Sequence, residues 1–93
     1  MVKIFSECEK AILVVLLRNG ELYLTQISQI LRMRYSHVVK IINIFKKLEL
    51  VELLETGRKR ERVYKLTEKG EKVAQEVVDI KKIEKNIDEI INV

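Results

Sequence analysis

Leu24-Thr25-Gln26-Ile27-Ser28-Gln29-Ile30-Leu31, then Arg32-Met33-Arg34, then Tyr35 through Leu48, is the stretch that decides the fold. In its second half Val38, Ile41, Ile42, Phe45 and Leu48 recur at helical spacing and define one apolar face. Ser36, Lys40, Asn43 and Lys47, spaced four, three and four, fall on the opposite face. In the first half Thr25 stands as a helix cap, with Ile27, Ile30 and Leu31 as the inward positions. Arg32-Met33-Arg34 leaves room only for a tight connection. The pattern predicts a short helix, a turn, and a helix from Tyr35 or Ser36 to about Leu48.

Working outward, Ser6-Glu7-Cys8-Glu9 is a capping-box pattern that opens a helix running to about Arg18. Asn19-Gly20 stops it, since glycine takes the left-handed cap conformation without penalty. Leu22 to Leu24 reads as one or two residues of edge strand. Leu50–Thr56 and Arg62–Leu66 read as two strands, with Gly57-Arg58-Lys59-Arg60-Glu61 as the turn between them. Thr67 caps a last helix over about residues 68–92, with Val73, Val77, Ile80, Ile83, Ile87 and Ile90 as a stripe along it. The fold class is α+β, mostly helical. The 93 residues form one domain, with a core over about 7–75 and a long C-terminal helix.

The charge is unevenly placed. Between Arg32 and Lys65 ten basic residues face four acidic ones, and five of the six arginines lie there. The rest of the chain is slightly acidic, so the excess belongs to one segment, and a polyanion is the partner it fits. The longest apolar run, Ala11 to Leu17, is far short of a membrane span. Glu7 and Glu9 stand where a leader's basic residues would be, so the expectation is a cytoplasmic protein, nucleoid-associated, or in the host cytoplasm if the chain is viral. One cysteine and one histidine exclude an intramolecular disulfide and a Cys/His zinc cluster. There is no Ser/His or Cys/His constellation, glycine-rich phosphate loop or paired carboxylate, so neither an enzyme nor a cofactor is expected.

The order helix, short strand, helix, helix, hairpin, long helix resembles the winged helix-turn-helix, above all the MarR-like and small archaeal or archaeal-virus winged-helix proteins. The likeness is carried by residues 24–31, by Val38 through Leu48, by Leu50-Val51-Glu52 and the basic hairpin, and by Val63-Tyr64-Lys65-Leu66-Thr67-Glu68-Lys69-Gly70. The last run is similar to that family's strand-to-helix ending, Tyr-x-Leu-Thr-x-x-Gly. Two positions depart from the family's habit. Arg32-Met33-Arg34 stands where a small residue or glycine is usual, and Glu49 where glycine commonly follows the second helix of the pair.

The resemblance implies double-stranded DNA as partner, with the helix of about residues 35–48 in the major groove and the turn 57–62 as a wing on the backbone or minor groove. On the helix, Asn43 suits adenine, Lys40 guanine or phosphate, and Val39 a thymine methyl. Ser36, His37 and Lys47 share the exposed side, and no acid occurs from Arg34 to Lys47. Arg58, Lys59, Arg60 and Arg62 put four cations in five wing positions, which a structural turn does not require. Thr25 and Gln26 at a helix N-terminus, and Arg32, Arg34 and Tyr35 around the turn, are further phosphate candidates. His37 has no second ligand at helical spacing, so it is no metal site.

The last helix is longer than such a core needs. Val77, Ile80, Ile83, Ile87, Ile90 and Ile91 are therefore candidates for pairing with a second copy, which makes the chain a homodimer. Cys8 in the first turn of the first helix is an intersubunit disulfide candidate, set against a free packed thiol. The expected function is sequence-specific transcriptional regulation. An architectural protein that reads only backbone and shape, and a protein–protein interaction module, remain the alternatives.

Overall fold

The computed structural model describes residues 5–55 and 62–91, and of Glu55 and residues 88–91 it describes the backbone alone. The elements are α1 (Glu7–Asn19), β1 (Glu21–Tyr23), α2 (Leu24–Leu31), α3 (Tyr35–Lys47), β2 (Val51–Glu55), β3 (Arg62–Leu66) and α4 (Glu68–Ile91). The three strands form one antiparallel sheet in the order β1-β3-β2. This is a winged helix with a long C-terminal helix, as the spacing predicts.

Each helix of the core turns one apolar stripe inward. Ile12, Leu13 and Leu16 of α1, Leu24 and Ile27 of α2, and Val38, Ile41, Ile42 and Phe45 of α3 meet Leu22, Val51, Tyr64 and Leu66 of the sheet. Ala74 and Val77 of α4 close the cluster, and Phe5 sets its ring edge-on to Phe45, with centroids 6.0 Å apart. Among the described residues no polar or charged one is buried. Burying one large apolar side chain is worth roughly 1.5–3 kcal/mol, so this cluster carries the fold. The cross-strand pair Glu52–Lys65, at 3.2 Å, is half exposed and contributes at most about 1 kcal/mol.

α1 begins with half of the expected capping box: the Ser6 hydroxyl accepts the Glu9 N–H (3.2 Å), while the Glu9 carboxylate is bonded through Oε1 to the Ser6 hydroxyl (3.1 Å). It ends at Gly20, whose N–H reaches Leu16 O at 2.8 Å; its φ of 81° with ψ −76° is a conformation open to glycine but outside the left-handed helical region expected for the cap. α2 corrects two expectations. The helix starts at Leu24 rather than being capped by Thr25, because Gln26 Oε1 folds back to accept the Tyr23 N–H at 2.9 Å. Ile30 does not point inward and is 52% exposed. At about 100° per residue, Leu24, Ile27 and Leu31 share a face and Ile30 lies roughly 100° round from it.

The two departures from glycine are both left-handed residues. Arg32 has φ 54° and Glu49 φ 60°. Behind Arg32, the Met33 N–H reaches back to Ser28 O (3.0 Å) and the Arg32 N–H to Gln29 O (3.4 Å). Behind Glu49, the Leu50 N–H reaches Phe45 O (2.9 Å) and the Glu49 N–H reaches Lys46 O (3.1 Å). These are matching Schellman closures, with an L-residue where glycine is usual. The Ser28 hydroxyl adds a 2.6 Å bond to Met33 O, which ties the α2–α3 turn at both ends.

Candidate nucleic-acid interface

α3 offers its outer face because its inner one is used up. Val38 and Phe45 are fully buried, and Ile41 and Ile42 nearly so. Ser36, Lys40, Asn43 and Lys47 are all exposed, and on a helical projection they fall within an arc of about 60°. His37 flanks this arc on one side and is exposed. Val39 flanks it on the other, half buried and packed against the core cluster. Tyr35, 51% exposed, opens the helix, and Arg34, also exposed, is its cap residue.

The electrostatics of this face are one-sided. No acid occurs from Arg32 through Leu48, and the first is Glu49, beyond the end of α3. Arg32, exposed on its left-handed backbone, shares the turn with Arg34. Lys46 lies over the ring of the buried Tyr64, 6.0 Å from its centroid, so Tyr64 is a core residue that steadies a cation rather than a surface contact. Thr25 and Gln26 are exposed in the first turn of α2, though Gln26 Oε1 is engaged by the Tyr23 N–H.

The wing is framed by β2 and β3, whose last described pair is Glu55 with Arg62, and Arg62 is exposed. Arg58, Lys59 and Arg60 lie outside the described residues. Lys81 reaches Glu7, the first residue of α1, at 4.0 Å, and α4 continues beyond that point with residues 81–87 all exposed. Ile80, Ile83 and Ile87 are 53%, 58% and 48% exposed. Val77 is buried in the chain's own core, while the side chains of Ile90 and Ile91 lie outside the described residues. Cys8 is a free thiol, half buried against the core. Among the described residues no group of three metal-ligating side chains occurs, and no helix is long and apolar enough to cross a membrane.

Sequence reasoning reads Thr67 as the cap of α4, and its hydroxyl accepts the Gly70 N–H at 3.0 Å. It missed that Thr67 and Lys69 also join α4 to the end of α3. Lys69 Nζ donates to Leu48 O (3.1 Å), the Thr67 hydroxyl to Glu49 O (2.6 Å), and the Thr67 N–H to Leu50 O (3.0 Å).

A helix pair joined by a tight turn, a three-stranded sheet ending in a basic hairpin, and a basic exposed second helix together define a winged helix-turn-helix. The family described as winged helix-turn-helix matches residues 6–85, and the chain belongs to it. Its fold is that of the MarR-like regulators. A double mutant of ZitR from Lactococcus lactis in apo form superposes with a TM-score of 0.78 and 25% identity, over 94% of this chain and 67% of that one. AF1382 from Archaeoglobus fulgidus gives 0.75 and 28%, over 86% and 90%. A mutant of MarR from E. coli complexed with operator DNA gives 0.72 and 15%, over 78% and 53%, a likeness of fold alone. The chain thus spans about two-thirds of ZitR and about half of MarR. No curated protein matches it significantly.

Proposed function

We propose that the chain is a sequence-specific, double-stranded-DNA-binding transcriptional regulator that acts as a homodimer in the cytoplasm. The observation that carries this reading is the outer face of α3: four polar residues in one narrow arc, with no carboxylate on the helix or its turn. A helix of this width fits the major groove, and Asn43 and Lys40 are donors of the kind that distinguish base edges. Arg32 and Arg34 in the turn and the basic hairpin supply the sequence-independent attraction to phosphate.

Ile80, Ile83 and Ile87 argue for the second copy. Each is worth roughly 1.5–3 kcal/mol when buried, and a row of them in water is a liability that pairing removes. Their three-then-four spacing continues to Ile90 as a coiled-coil seam. A parallel seam would set Asp79 of one copy against Glu84 of the other, so the antiparallel arrangement is favoured. Residues 7–75 are then the reading unit and α4 is the assembly helix.

The test is selection of bound sequences from a random duplex pool, followed by competition between the selected duplex and unrelated DNA. A regulator prefers its selected duplex by roughly a thousandfold or more. Binding that is steeply salt-dependent yet indifferent to sequence would replace the regulator with an architectural protein, and absence of duplex binding would leave an interaction module.

A further inference from the structure

The end of α3 is tied to the start of α4 by three hydrogen bonds. Helix α3 finishes at Lys47, and the next three carbonyls, those of Leu48, Glu49 and Leu50, are all taken by the first residues around α4. Lys69 takes the first, the Thr67 hydroxyl the second and the Thr67 N–H the third. The hydroxyl is used twice, since it also accepts the Gly70 N–H at 3.0 Å. The side-chain bonds join partners 18 and 21 residues apart in sequence, so they are tertiary ties between two elements and not turns of one helix.

α4 is also the helix that carries the exposed Ile80, Ile83 and Ile87. From Glu68 to Ile87 it is roughly 28 Å long at about 1.5 Å per residue. A slack of about 10° at its base would swing α3 by about 5 Å relative to the seam. Base pairs are stacked about 3.4 Å apart, so that slack exceeds one step of the duplex.

We infer that Thr67 and Lys69 are positioning residues for DNA recognition. They lock the angle between α3 and α4, and through the α4 seam they fix the separation of the two recognition helices. This rests on the homodimeric DNA-binding reading above. Neither residue needs to touch DNA to do it.

The experiment uses the full chain and duplexes carrying two selected half-sites, with the spacing varied one base pair at a time, beside a duplex with a single half-site. Thr67→Val removes the hydroxyl and keeps the shape, Lys69→Met removes the ammonium, and Thr67→Ser restores the hydroxyl. The wild type is expected to lose about tenfold in affinity one base pair off its optimum. In Thr67→Val/Lys69→Met that penalty is expected to fall to about threefold or less, with single-half-site affinity and dimer mass unchanged. Thr67→Ser is expected to keep the wild-type penalty. Lys69→Met alone, an exposed substitution, is expected to relax the penalty partway even if the double variant folds poorly. An unaltered penalty in the variants, or equal losses on single and paired half-sites, overturns the inference. A wild type indifferent to spacing overturns it too, while single-half-site preference and sedimentation report separately whether the DNA-binding and dimer readings stand.

Discussion

Gly70 lies flat against the backbone of Leu50: a Cβ added there would overlap the Leu50 carbonyl oxygen and come within 2.9 Å of its carbonyl carbon. Helix propensity alone would make alanine better than glycine at this position in α4 by up to about 1 kcal/mol. Steric overlap with an immobile backbone atom, already bonded by Thr67, works the other way and is larger. Gly70→Ala is expected to destabilise by about 2–4 kcal/mol, lowering the melting temperature by roughly 8–32 °C. Thermal unfolding followed by circular dichroism checks the sign, and a gain in stability would show that the close approach is absent.

Glu49 holds a left-handed backbone that costs an L-residue about 1–2 kcal/mol. Glycine removes that cost and returns about half of it as unfolded-state entropy. Glu49→Gly is expected to stabilise by about 0.5–1 kcal/mol, raising the melting temperature by roughly 2–8 °C, while Glu49→Ala gains nothing. Urea denaturation of the three proteins decides it.

Much of this is legible in the sequence, for physical reasons that also mark where it stops. α3 is readable because one helix has to bury Val38, Ile41, Ile42 and Phe45, which dictates where Ser36, Lys40, Asn43 and Lys47 go. The ends of α1 and β3 are marked by residues whose backbone chemistry is local, namely Ser6, Gly20 and Thr67. Ile30 misleads because an eight-residue helix offers too few turns for its apolar stripe to be oriented from spacing alone. Thr25 misleads because Gln26, third in the helix, engages the free N–H that a cap residue's neighbourhood must satisfy. The ties from Thr67 and Lys69 to Leu48, Glu49 and Leu50 are invisible in the sequence, since they depend on how two distant helix ends meet in space.

Ile83 and Ile87 lie outside the chain's own core, so changing them tests assembly without testing the fold. Ile83→Asp with Ile87→Asp is expected to convert a dimer to a monomer in sedimentation velocity, with the helical circular dichroism of the core retained. A dimer of unchanged stability would place the interface elsewhere.

The wing cations are expected to act through phosphate alone. Each phosphate neutralised contributes about 0.9 to the slope of log affinity against log salt. Arg58→Ala or Arg60→Ala is therefore expected to weaken selected and random duplexes alike and to flatten the slope by about one per cation removed. Salt titrations by fluorescence anisotropy measure both. A weakening confined to the selected duplex would mean that the wing reads sequence.

The central claim, that α3 reads bases, is tested most directly by Asn43→Ala. Asn43 is exposed in the middle of the acid-free face and has no charge to lose, so its removal leaves the attraction to phosphate untouched. On the selected duplex the substitution is expected to cost roughly 1–3 kcal/mol, about five- to 150-fold in affinity, with the salt slope unchanged. On random duplex it is expected to cost almost nothing. Equal losses on both duplexes would contradict base reading by α3 and leave a protein that binds the backbone alone.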